Sequence, residues 1–179
     1  FGLHSGMPLV TAVRLCPEAI FIEGNFARYR EFSQKFMAIL NDFSPFIEPM
    51  GIDEAYMDVT GFESIHGSIR QMAMAMKQRI RNELGICASV GIASCKVVAK
   101  VASDLSKPDG LIEVAAGKER DFLALLPVDK LPGVGKQAMK VMKSLGIHTI
   151  GALSQMPSLT LKSRFGSAGE TMLSFANGI

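Results

Sequence analysis

The stretch Ile47-Glu-Pro-Met-Gly-Ile-Asp-Glu-Ala-Tyr-Met-Asp-Val59 decides how the chain is read. Pro45 and Pro49 stop any helix arriving from upstream, so the stretch is expected as two short strands joined near Gly51. Before it, apolar residues recur at Phe26, Tyr29, Phe32, Phe36, Met37, Ile39, Leu40 and Phe43. That three-and-four spacing predicts an amphipathic helix of about five turns with one buried stripe.

After it, Gly61 to Gly67 is a connection, and Ser68 can cap a helix running to about Leu84, with Ile69, Met72, Met76 and Ile80 on one face and Gly85 closing it. Ile86 to Ile92 is a continuous apolar run bounded by glycines, which predicts a central strand buried on both faces. The order helix, strand, strand, helix, strand is a ferredoxin-like βαββαβ plan without its first strand, which makes the fold class α+β. Ser94 to Leu105 adds a short helix ended by Pro108 and Gly110, and residues 111 to 118 form a linker with a short strand. From Glu119 the reading changes to short helices broken by Pro127, Pro132, Gly133, Gly135, Gly146, Pro157 and Gly166, which sets a domain boundary.

Composition bounds the rest. The 179 residues are about half apolar, enough for a real core, and the formal net charge is only +2, so any basic surface must be local. Cys16, Cys87 and Cys95 are an odd number without a CxxC pair and are expected as reduced, buried thiols of a cytoplasmic protein. No apolar run approaches the ~18 residues a membrane span needs, and no signal-peptide order opens the chain, so no membrane partner is expected. The first residues are Phe1-Gly-Leu-His4 with no initiator Met, which makes a fragment the expectation.

Asp53-Glu54 is the sharpest chemical feature. Adjacent carboxylates repel each other unless something positive compensates, and neighbours on a strand face opposite ways unless a bend re-aims them. Two readings stand: a solvated acidic turn, or a tight turn that lets both carboxylates reach one or two Mg²⁺ ions, hard cations that lean on substrate phosphates for their remaining ligands. Two such ions ~4 Å apart can activate a 3′-hydroxyl and stabilise a pyrophosphate leaving group.

Positive charge follows at Lys96 and Lys100, four apart on the helix after the apolar run, and at Lys107 in the turn Ser106-Lys-Pro-Asp-Gly110. A Pro/Gly turn can fix the Lys107 ammonium for a triphosphate, whereas Lys96 and Lys100 read first as a solvated basic face. Leu131-Pro-Gly-Val-Gly135 precedes Lys136, Lys140 and Lys143 and a closing Gly146-Ile147. Two glycines around one apolar residue outline a helix-hairpin-helix clamp, whose amides at a helix N-terminus bind nucleic-acid phosphate without reading sequence. The plainer alternative is an ordinary helix-loop-helix corner. His4, His66 and His148 lack a second ligand at metal spacing and are expected in surface or capping roles.

Taken together, Gly51-Ile-Asp-Glu-Ala-Tyr-Met-Asp-Val59, the block from Val90 to Gly110, Leu131-Pro-Gly-Val-Gly135 and Phe1-Gly-Leu-His-Ser-Gly-Met-Pro8 resemble, in order and spacing, the successive signatures of the Y-family lesion-bypass DNA polymerases, the ImpB/MucB/SamB type. The resemblance implies a fingers remnant in residues 1–25, a catalytic palm in 26–114 and an all-α helix-hairpin-helix thumb in 115–179. It implies that Asp53 and Glu54 are catalytic metal ligands for two Mg²⁺ ions and that Lys107 binds the triphosphate. By the same resemblance Ser5, Gly6 and Met7 cover the templating base pair, and Gly133, Val134, Gly135 and Lys136 grip duplex DNA. Primer-template DNA and a dNTP are the implied partners, with a sliding clamp contacted through regions outside these residues. The expected activity is translesion DNA synthesis by the parent protein, the fragment itself being inactive.

Three departures stand out. Gly51 occupies a position where the family usually has Ser, and neither the strand carrying the family's first metal-binding Asp nor its little finger is found in these residues. The remaining rivals are a nucleotide cyclase, whose palm-like domain carries a similar Gly-apolar-Asp-Glu hairpin, and a non-catalytic DNA-binding paralogue.

Overall fold

In the computed structural model, which describes residues 1–179, Ile47–Pro49 (β1) and Ala55–Met57 (β2) pair antiparallel, with Glu48 opposite Tyr56. Met50 N–H donates to Glu54 O at 2.8 Å and closes the turn between them. The chain reaches this hairpin through Leu9–Leu15 (α1) and Phe26–Asn41 (α2), and Asn25 caps α2 by accepting from Arg28 N–H. The predicted helix therefore ends two residues before Phe43. Ile39, Leu40 and Phe43 are buried, and Arg28 and Arg30 are exposed.

Past a short helix at Glu63–His66 (α3), Ile69–Leu84 (α4) starts where Ser68 and Gln71 form a reciprocal capping box. It ends where Gly85 takes a left-handed conformation with φ +68°, which a residue without Cβ adopts freely. Met72, Met76 and Ile80 of α4 pack on Ile39, Leu40 and Phe43.

The apolar run after α4 behaves differently from the expectation. Only Val90–Ile92 (β3) is a strand; its residues are half-buried, and Ile86 is exposed. β3 pairs in parallel with Leu111–Glu113 (β4) on one side and with nothing on the other. The molecule thus holds two separate two-stranded sheets rather than one. β2 and β3 both line an apolar cleft of about 820 Å³, the place of the central first strand in a ferredoxin-like plan. Nothing in these residues fills it, so a run that reads as two-sided in sequence is covered on one side only. Cover on that side is tight. Lys96–Leu105 (α5) lies so close to β3 that a Cβ on Gly91 would fall 1.9 Å from Ala99 O.

The remaining elements are Glu119–Ala124 (α6), a 3₁₀ turn at Val128–Lys130, Lys136–Ser144 (α7), Ile150–Ser154 (α8), Ser158–Phe165 (α9) and Ser167–Ala176 (α10). The part after Glu119 is therefore all helical, and the whole is α+β. Its core, including Leu123, Met142, Ile150, Leu153 and Leu161, is continuous with Val97, Val98 and Val101 of α5. A second, smaller core gathers α2 and α4 beneath the hairpin. The three cysteines are free, as expected, but only Cys16 is buried; Cys87 is exposed and accepts from Arg81. No helix is long and apolar enough to cross a membrane.

Candidate active site

The turn that closes the hairpin sets Asp53 and Glu54 on one rim of the cleft, and α5 with the turn behind it sets Lys100 and Lys107 on the other. Neither carboxylate lies within a strand, so the opposite-face rule of an extended chain does not separate them. Gly51 has no positive φ and a Cβ there would meet only Asp53 Oδ1, at an ordinary 3.6 Å. The turn is thus set by the Met50–Glu54 hydrogen bond rather than by glycine's freedom.

Glu54 carries the compensation that adjacent carboxylates require. Lys100 Nζ donates to Glu54 Oε1 at 2.6 Å and to Asp104 Oδ1 at 3.4 Å. Lys107 Nζ lies 2.7 Å from Asp104 Oδ1 and 3.9 Å from Glu54 Oε1. Burial pulls the Lys100 pKa down, but the Glu54 hydrogen bond and the charges of Asp104 and Glu54 outweigh it and leave it raised. On Asp104 burial acts upward instead, and the Lys107 hydrogen bond with the charge of Lys100 outweighs it and leaves the pKa lowered. Tyr56, in the same wall, is raised chiefly by burial. Asp53 has no side-chain partner at all and stays exposed.

Asp53 and Glu54 offer hard oxygen donors, and no third His, Cys, Asp or Glu gathers with them. That donor set fits a small hard cation that completes its shell with water and phosphate oxygens, and it does not fit a caged ion. Lys96, the other half of the basic pair, turns away: it forms an ion pair with Glu48 and sits over the Tyr56 ring.

The other predicted residues lie elsewhere. Ser5 and Gly6 form an exposed turn before α1, Met7 is half-buried, and none of the three lines the cleft. At the far end of the chain, Gly133 adopts φ +88° and Gly135 begins α7 without any side-chain cap, leaving the first amides of that helix open. Val134 is buried and anchors the hairpin, and Lys136, Lys140 and Lys143 are exposed. Two residues escape a reading by spacing alone: Asp104, which bridges the two lysines, and Lys77, which holds the turn at Asp109 and Gly110. Each lies within an amphipathic helix, where a charged residue reads as solvated face.

Comparison with known proteins adds the following. Residues 1–104 match the impB/mucB/samB family, and residues 129–179 match the thumb domain of DNA polymerase iota. DNA polymerase IV of Dehalococcoides mccartyi strain CBDB1 is 57% identical over all 179 residues, and DNA polymerase IV of Desulfatibacillum aliphaticivorans is 42% identical over 178. The chain spans about half the length of these curated relatives, 46% and 45% respectively. A DinB family error-prone DNA polymerase from Sulfolobus solfataricus superposes with a TM-score of 0.89 at 31% identity, over 99% of this chain and 54% of the other. The insertion ternary complex of Dbh DNA polymerase gives 0.85 at 32%, over 99% and 52%. With the family match running unbroken through the hairpin, the paired carboxylates and Lys100, over more than half of the residues, the chain belongs to the impB/mucB/samB family.

Proposed function

We propose that the full-length protein is a template-directed DNA polymerase of the lesion-bypass type, which transfers the nucleotidyl group of a dNTP to a primer 3′-hydroxyl. The observation that carries this is the pairing across one cleft of an unpartnered carboxylate, Asp53, and a lysine-held one, Glu54, with Lys107 facing them. Phosphoryl chemistry needs little covalent help from the protein; it needs charge placed along an in-line path. The names of the relatives and the ternary complex among the structural neighbours support the same reading.

In this proposal Asp53 and Glu54 hold divalent metal, Mg²⁺ being the ion and two the number. Bound there, the ions would lower the pKa of the attacking hydroxyl and offset charge on the leaving pyrophosphate. Lys107 leaves Asp104 to bind the triphosphate. Lys100 keeps Glu54 aimed into the cleft and limits its repulsion with Asp53. Ser5, Gly6 and Met7 cover the templating base pair from residues 1–25, the fingers part. Residues 26–114 act as palm. In the thumb, residues 115–179, the amides at Gly133 and Gly135 with Lys136 hold the duplex backbone, while buried Val134, its own amide spent on Leu131 O, anchors the hairpin that presents them. A sliding clamp would be met through regions outside these residues. Two carboxylates are fewer than two ions need, so activity is assigned to the full-length protein and not to these 179 residues alone.

The test is primer extension by the purified full-length protein on a template of known sequence, with and without Mg²⁺. Template-ordered extension that stops when the metal is chelated is the expected result. Synthesis of a cyclic nucleotide without extension, or salt-sensitive DNA binding with no incorporation, would overturn the reading.

A further inference from the structure

Lys77 lies on α4, a helix that contributes nothing to the carboxylate pair, yet it is the most heavily engaged cation in the molecule. Its ammonium donates to Ala88 O at 2.5 Å, Asp109 O at 2.9 Å, Gly110 O at 3.0 Å and Asp109 Oδ1 at 2.8 Å. An ammonium has three protons, so these four acceptors saturate it, and its side chain is only 15% exposed. One turn later Arg81 takes the other Asp109 oxygen at 2.7 Å, so both oxygens of that carboxylate are held from α4. Arg70, seven residues before Lys77 and on the same face, reaches Glu113 at 3.7 Å. Three cations of α4 thus track the segment from Asp109 to Glu113.

That segment is the far side of the turn that presents Lys107. Its near side is tied to α5, where Ser106 N–H donates to Ala102 O at 3.1 Å, and the turn closes where Gly110 N–H donates to Ser106 O at 2.7 Å, so tightly that a Cβ on Gly110 would fall 2.2 Å from that oxygen. The turn is therefore gripped at both ends, and Lys107 reaches from it to Asp104 at 2.7 Å, with Glu54 3.9 Å away.

We propose that Lys77 is a positioning residue for triphosphate recognition: by holding Ala88, Asp109 and Gly110 together, it fixes the turn from which the Lys107 ammonium reaches the triphosphate. The proposal rests on the reading of Lys107 given above. A positioned charge loses much of its worth when displaced by about 1 Å, so release of the turn acts on nucleotide binding before it acts on anything else.

The experiment is single-nucleotide incorporation by the full-length protein carrying Lys77→Met, Asp109→Asn, Lys107→Ala, or Lys77→Met with Lys107→Ala. Lys77→Met and Asp109→Asn are each expected to raise the KM for dNTP by about five- to tenfold with kcat within about twofold. Lys77→Met is expected to add nothing once Lys107 is gone. An unchanged KM in both Lys77→Met and Asp109→Asn, or a full extra loss in the double variant, overturns the proposal while leaving the site intact. An unchanged KM in Lys107→Ala instead overturns the reading of Lys107, and the proposal with it. A purely structural role for Lys77 would lower the melting temperature and the active fraction without moving KM, which also overturns it.

Discussion

Glu54 is held by Lys100 and approached by Lys107, while Asp53, one residue away, has no cation beside it. The difference comes from the turn, which aims Glu54 across the cleft at α5 and leaves Asp53 at the rim. Gly51 sits at the start of that turn with an ordinary φ and room for a side chain. Gly51→Ser is therefore expected to stabilise the protein by about 0.4–1 kcal/mol, through the lost freedom of the unfolded chain. Its measure is the midpoint of urea unfolding, and a destabilised variant would show that the turn does need glycine. The carboxylate pair was legible in the sequence because two adjacent acids demand an explanation. Lys100 was not, because a lysine on an amphipathic helix is usually solvated, and only the fold shows which helical face meets the turn. Lys107 was legible because Pro108 and Gly110 mark its turn. Asp104, the bridge between the two lysines, left no signal of its own.

At the scale of elements, α4 is the brace of the site. Its limits could be read from Ser68, Gln71 and Gly85, since caps act locally and leave their chemistry in the sequence. Its braced partner could not, because the Lys77 to Asp109 contact joins residues 32 apart. The apolar run from Ile86 to Ile92 was misread for a related reason. Continuous hydrophobicity reports apolar surroundings but not whether a second strand is there to supply them. The brace has a pH signature. The Lys77 hydrogen bond, with the charges of Lys77 and Arg81, holds the Asp109 carboxyl below its ordinary value. A carboxylate lowered on folding adds stability that is whole above its unfolded pKa of about 3.9 and is lost as pH falls through the lower folded value. The melting temperature of Asp109→Asn should therefore lie below that of the unaltered protein at about pH 6, and the gap should close below about pH 4. A gap that persists unchanged to about pH 2 would remove the ion pairs from the account.

Across the whole molecule most of the buried residues gather into two cores, one under the hairpin and one that joins α5 to the helices after Glu119. The open cleft lies between β2 and β3, and the hairpin at Gly133 sits in the helical part. Fold class and the change of character near Glu119 were legible because helix period and Pro/Gly punctuation are local. The split into two sheets was not, since it depends on which strand is present to join them. If the α7 end grips duplex backbone, affinity for a primer-template should fall with salt, and Lys136→Ala should weaken binding to all sequences alike. It should also flatten the dependence of log K on log salt by about one unit. An unchanged slope in a binding titration would move the DNA contact elsewhere. The account as a whole stands on the two carboxylates, and Asp53, free of any partner, reports on them with least disturbance to the fold. The deciding measurement is the rate of single-nucleotide incorporation by the full-length protein with Asp53→Asn, at saturating primer-template and dNTP. A loss of about a hundredfold or more with unchanged DNA affinity is predicted, and a rate within about tenfold of the unaltered protein would contradict the assignment.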